Sequence, residues 1–94
     1  MKDYVSMSDF EINCRVHAEV MEISGLDSFK AKDYCNNPAD AWPIIIGSMI
    51  SVRPVGGDGH LWEASGMEGM KADYDKNPLR SAMIVFLMMK DGEL

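Results

Sequence analysis

Ninety-four residues with 47% hydrophobic side chains are enough for one globular domain with a modest core, and no apolar stretch reaches the ~20 residues a membrane span needs. Fifteen acidic against nine basic residues leave a net charge of −6, which repels phosphate backbones and excludes direct nucleic-acid binding as the first expectation. The opening Met1-Lys2-Asp3-Tyr4 has no apolar stretch of secretory type. A cytoplasmic setting is therefore expected, with Cys14 and Cys35 as free thiols.

The first helix is announced by Ser8-Asp9-Phe10-Glu11, a capping box in which hydroxyl and carboxylate each satisfy a backbone donor. The pattern that follows also alternates like a strand. On a helical wheel, however, Glu11, Arg15, Glu19 and Glu22 gather on one side, so a helix over residues 9–23 is predicted, closed by Gly25 with Leu26 as the apolar contact behind it. Residues 27–36 read as loop. Asn36-Asn37-Pro38 then starts a second helix, with Asp40 in the first turn where a negative charge suits the dipole. Pro43 falls inside it, so the spacing predicts a kink or a fresh start there. Trp42, Ile45, Ile46 and Met49 are expected to share one face of it, and Gly47-Ser48 to loosen its end.

Ile50-Ser51-Val52-Arg53 alternates, Pro54 suits an edge, and Gly56-Gly57-Asp58-Gly59 supplies a reversal, which together predict a hairpin returning over residues 60–64. Residues 65–76 read as a surface loop. The final helix carries the fold. Asn77 caps it, Pro78 takes the first position, and the run from Leu79 to Met89 is apolar on every side except at Arg80 and Ser81. A helix with no wet face must be wrapped by the rest of the domain, by a second subunit, or by both. The expected fold is α+β: three helices packed around a small antiparallel β-hairpin or sheet, with the C-terminal helix central.

The run from Asp33-Tyr34-Cys35-Asn36-Asn37-Pro38 through Trp42-Pro43-Ile44-Ile45, then Trp62, then Asn77-Pro78-Leu79-Arg80-Ser81-Ala82 and the apolar residues after it, resembles the small NinX-like proteins of tailed phages and of prophages in enteric bacteria. Ser8 to Asn13 is similar to that family's opening. The resemblance implies a phage- or prophage-encoded protein and brings no catalytic residues with it, since the family is one of unknown function. A looser likeness is to phage proteins built as α-β-α sandwiches.

Candidate sites are few. Asn13 and His17 lie within the apolar arc of the first helix, where each needs a partner or a pocket. Cys14 and His17, with Cys35 and His60, could be gathered around zinc, but no paired Cys-x-x-Cys or His-x-x-x-His spacing is present, so no metal and no cofactor are expected. Asn36, Asn37 and Asp40 beside Trp42 mark a helix start whose amides could hold an anion while the indole stacks a base. Arg80, a cation near another helix start, would be held there by Asp40 or by a bound anion. These five residues are the candidate ligand site. The leading expectation is nevertheless a non-enzymatic accessory protein that engages a host or phage protein, possible as a homodimer. A small-molecule or nucleotide binder using Asn36 to Trp42 is the alternative, and a metal-dependent or thiol enzyme ranks last.

Overall fold

The computed structural model describes residues 3–22, 30–56, 61–66 and 72–92. After a short 3-10 turn over Tyr4–Ser6 come α1 (Asp9–Met21), α2 (Pro38–Gly47), strands β1 (Ser51–Val55), β2 (Leu61–Ser65) and β3 (Ala72–Asp75), and α3 (Pro78–Gly92). The strands form an antiparallel meander in the order β1-β2-β3. This is the α+β arrangement that the sequence predicts. Its final helix is the element on which the three strands, α1 and α2 all pack.

Each helix begins where its local chemistry says it should. The Ser8 hydroxyl accepts from the Glu11 N–H at 3.1 Å and the Glu11 carboxylate accepts from the Ser8 N–H at 3.2 Å, closing the capping box. Asn37 Oδ1 accepts from the Ala39 N–H at 3.0 Å, and Asn77 Oδ1 from the N–H groups of Leu79 and Arg80. The ends differ from expectation. α1 stops at Met21, with Glu22 in the left-handed region (φ 54°) donating its N–H to the Ala18 carbonyl, whereas Gly25 and Leu26 lie outside the described residues. α2 runs through Pro43 as one continuous helix instead of restarting. It then closes in a Schellman motif: the Ile50 N–H bonds to Ile45 O, the Met49 N–H to Ile46 O, and Met49 takes the left-handed position (φ 55°) that glycine fills at lower cost.

Trp42, Ile45, Ile46 and Met49 do not share one face. Ala41, Ile44 and Ile45 point into the core, while Trp42, Ile46 and Met49 face outward. Three consecutive isoleucines make the wheel ambiguous by a full residue step, and only packing against α3 decides it. In α3, Ala82, Met83, Ile84, Val85, Phe86 and Leu87 are all buried by this chain's own elements. The apolar circumference of α3 thus needs no second subunit.

Residues 65–76, predicted as loop, contain β3, whose register on β2 pairs Trp62 with Asp75, Glu63 with Tyr74 and Ala64 with Asp73. The row Val52, Ala64, Asp73 alternates with the row Arg53, Glu63, Tyr74. The first row faces α3, where Ala64 and Asp73 are buried and the Ser81 hydroxyl donates to the Asp73 carbonyl at 2.8 Å. The second is open to solvent. There Glu63 accepts from Tyr74 Oη and from Arg53 Nε, both at 2.7 Å, and these two partners, Tyr74 foremost, hold its carboxyl below the usual range. Among the described residues no helix covers this face, so the looser likeness to a sandwich with helices on both sides of the sheet does not extend to the layering.

Candidate functional site

The two Asn-Pro helix starts meet. Asn77 Nδ2 donates to the Cys35 carbonyl at 2.7 Å and to Asn36 Oδ1 at 3.1 Å, so the α3 cap is stitched to the segment leading into α2. Asn36 Nδ2 in turn donates to Asp9 Oδ2 in the first turn of α1 and to Asp33 Oδ1. Asp33 also accepts from Asn13 Nδ2 at 2.9 Å, and Asn13 Oδ1 accepts from the Cys35 N–H at 2.9 Å. The N-terminal ends of all three helices are therefore tied into one polar network.

Arg80 is the charged member of that network. Its side chain is 12% exposed, with Nη1 2.8 Å from Asp9 Oδ1 and Nε 3.4 Å from Asp75 Oδ2. Nη2 donates to the carbonyls of Met7 at 2.6 Å and Val5 at 3.1 Å, which binds the N-terminal segment to α3. The partners expected from the sequence, Asp40 or an external anion, are replaced by Asp9 and Asp75. Asp75 is positioned by an Asx turn in which its Oδ1 accepts from the Asn77 N–H at 2.8 Å. The guanidinium is satisfied from within, which explains a cation near a helix N-terminus against the sense of the dipole.

The five candidate ligand residues are thus divided. Asn36 and Arg80 share Asp9 and are spent on internal bonds, and Asn37 caps α2. Asp40, in the first turn of α2, lies near enough to Tyr34 that its charge, after burial, adds to the upward push on the Tyr34 hydroxyl. Trp42 stands apart on the outer side of α2 and is 59% exposed. What the sequence reading missed is the acidic half of the network, Asp9, Asp33 and Asp75. The D-x-N-P wording of Asp75 to Pro78 is the one local signal that could have disclosed any of it.

The remaining polar candidates are also internally paired. His17 Nδ1 lies 2.8 Å from Tyr34 Oη, and burial keeps that phenol protonated. The Cys35 thiol is fully buried, and desolvation foremost, then the Asp9 charge, pushes its pKa up to about 12, which removes it as a nucleophile near neutral pH. Among the described residues no three of His, Cys, Asp or Glu stand where they could hold a metal ion, and His60 lies outside those residues. Among the described residues Asp73 is the exception to internal satisfaction: it is buried, and its Oδ2 has no hydrogen-bond partner.

Asn36 and Asn77, from the two Asn-Pro blocks of the family wording, are bonded directly to one another. Comparison with curated proteins and with solved structures gives no match. The family model described as Bacteriophage P22, NinX matches residues 3–90, so this chain belongs to the bacteriophage P22 NinX family, a family of phage-encoded proteins.

Proposed function

We propose that this phage protein is a non-enzymatic binding protein that works in the host cytoplasm by engaging a host or phage protein. The observation that carries the reading is the outward side of α2, where Trp42 and Ile46 are 59% and 57% exposed, with Met49 of the closing turn 63% exposed beyond it. Large side chains exposed together on one helix face mark contact surfaces more often than ligand pockets. The closure of the Asn36–Arg80 network on itself supports the same reading over a nucleotide or anion binder, because the amide and guanidinium donors such a ligand would need already have partners.

The test is an affinity pull-down from infected and uninfected host lysates with wild-type protein and with Trp42→Glu. Stoichiometric capture of a defined protein by the wild type, lost in Trp42→Glu while the far-UV spectrum and melting temperature are kept, is the expected result. Capture of nothing, or capture indifferent to Trp42, refutes it. Thermal-shift screening against nucleotides and anions covers the rival: a ligand at 100 times its dissociation constant would add about 2.7 kcal/mol.

A further inference from the structure

We infer that β3 is a proton-gated edge strand, which swings off β2 while the rest of the fold stays closed, the charge state of Asp73 setting how often. The strand has four residues and stands at the end of the order β1-β2-β3. In the row that faces α3, β1 supplies Val52 and β2 supplies Ala64, but β3 supplies Asp73. That side chain is 8% exposed, and its Oδ2 has no hydrogen-bond partner. Tyr74, on the opposite side of the sheet, is more than half exposed. Among Asp73, Tyr74 and Asp75, then, no apolar side chain is buried; the group sent inward is a carboxyl, which costs free energy there whenever it is charged. A strand held by its ladder and by polar contacts belongs to the low-stability end of local opening.

The contacts of β3 place both the pivot and the latch. At the end that leads into α3, Asp75 accepts from the Asn77 N–H at 2.8 Å and lies 3.4 Å from Arg80 Nε, so the strand is pinned at the turn. Farther along it, the Ser81 hydroxyl donates to the Asp73 carbonyl at 2.8 Å, and Tyr74 Oη donates to Glu63 on the open face. Opening therefore pivots about Asp75 to Asn77 and breaks the Ser81 bond, at the very residue whose carboxyl is buried. The charged groups that act on this carboxyl are Asp75 of its own strand and Arg80 of α3; β2 pairs Ala64 with it, and Glu63 stands on the other side of the sheet. Burial is the foremost cause holding its proton on and the Asp75 charge adds to it, against the Ser81 hydroxyl, Arg80 and the Tyr74 N–H. The swung-out strand returns the carboxyl to water at its ordinary pKa. Opening is thus rarest below about pH 3.9, grows as pH rises, and levels off above the raised value, where Asp73 is charged in both forms. The Tyr74–Glu63 contact has the opposite sign, because the Glu63 carboxyl is held below its usual range.

The experiment is native-state amide exchange of the full chain, followed by NMR from about pH 4 to about pH 7 at several urea concentrations below the transition. The hydrogen-bonded amides of the β2–β3 ladder are expected to exchange at least tenfold faster than those of Met83 to Leu87, and with little urea dependence, because opening one strand exposes little surface. In Asp73→Asn the same amides are expected to gain protection, and the ratio of variant to wild-type protection is expected to grow several-fold across the pH range; taking the ratio cancels the Glu63 contribution. Ser81→Ala, which removes the latch and keeps the carboxyl, is expected to speed ladder exchange several-fold with the urea dependence still small. Ladder amides that exchange only together with those of Met83 to Leu87, at the same rate and urea dependence, overturn the inference. A ratio that stays flat with pH overturns the gate, and ladder exchange unchanged in Ser81→Ala overturns the latch. None of these outcomes bears on the α2 face, so the proposed binding function stands or falls separately.

Discussion

Replacing Asn77 distinguishes a helix cap from a tertiary clamp. Its Oδ1 caps α3 through Leu79 and Arg80, and loss of a cap costs about 1 kcal/mol. Its Nδ2 also supplies the Cys35 carbonyl and Asn36 Oδ1, and a carbonyl left without its donor at a partly buried position costs roughly 1–2 kcal/mol more. Asn77→Ala is therefore expected to destabilise by about 2–3 kcal/mol, twice or more what the cap alone would give. Asn77→Asp separates the two contributions. Aspartate caps as well as asparagine, but it donates nothing and sets a carboxylate oxygen against the Cys35 carbonyl, so a loss of about 2 kcal/mol is expected despite the intact cap. Asn37→Ala is the control, because the side-chain bond of Asn37 is the cap to Ala39 alone, and about 1 kcal/mol is expected. Urea unfolding followed by tryptophan fluorescence, fitted with a common m-value, gives the three differences directly. Asn77→Asp at wild-type stability, or Asn37→Ala costing as much as Asn77→Ala, would refute the clamp.

Other consequences follow from the same contacts. Arg80→Ala should cost about 3 kcal/mol, since it leaves the carboxylates of Asp9 and Asp75 without their shared cation and frees the carbonyls of Val5 and Met7; Arg80→Lys, which keeps the charge and loses the fork, should recover part of that in the same unfolding assay. Burial, ahead of every other cause, raises the pKa of Asp73, so the folded state holds its proton more tightly than the unfolded chain. Its contribution is thus most favourable below the ordinary Asp pKa of about 3.9 and is lost as pH rises through the raised value. Asp73→Asn should consequently stabilise the protein by about 1 kcal/mol at neutral pH and by little at acidic pH; equal stability of the two proteins across a pH series of thermal melts would contradict this. With its thiol pushed up to about 12 and no exposure, Cys35 should resist a thiol reagent in the native protein while partly exposed Cys14 reacts, and two equally fast thiols in a stopped-time titration would be the contrary result. Met49→Gly should relieve the left-handed strain and raise monomer stability by about 0.5–1 kcal/mol, measured by the same unfolding assay under dilute conditions.

All three helix starts could be read from single-chain patterns, because a cap is a bond between residues two or three positions apart and owes little to the rest of the fold. Ser8, Asn37 and Asn77 each do what their neighbours in sequence require. The central place of α3 was legible for a related reason. A segment apolar around its whole circumference has only one physical option, which is to be surrounded, and Met83 to Leu87 are surrounded.

What the amino-acid order left open is whatever depends on a choice between equivalent local options. Ile44, Ile45 and Ile46 are interchangeable on a helical wheel, so which way Trp42 points was decided by the packing of α2 on α3. Residues 72–75 have no strand signal of their own and become β3 by pairing with β2. The candidate ligand site changed meaning for the same reason: Asn36 and Arg80 are donors in any fold, but only the convergence of the three helix starts brings Asp9, Asp33 and Asp75 to meet them. Short-range hydrogen bonds and hydrophobic periodicity are properties of a segment, whereas partnership between distant side chains is a property of the assembled chain. That assembly closes the polar site inward and leaves the α2 face turned to the outside.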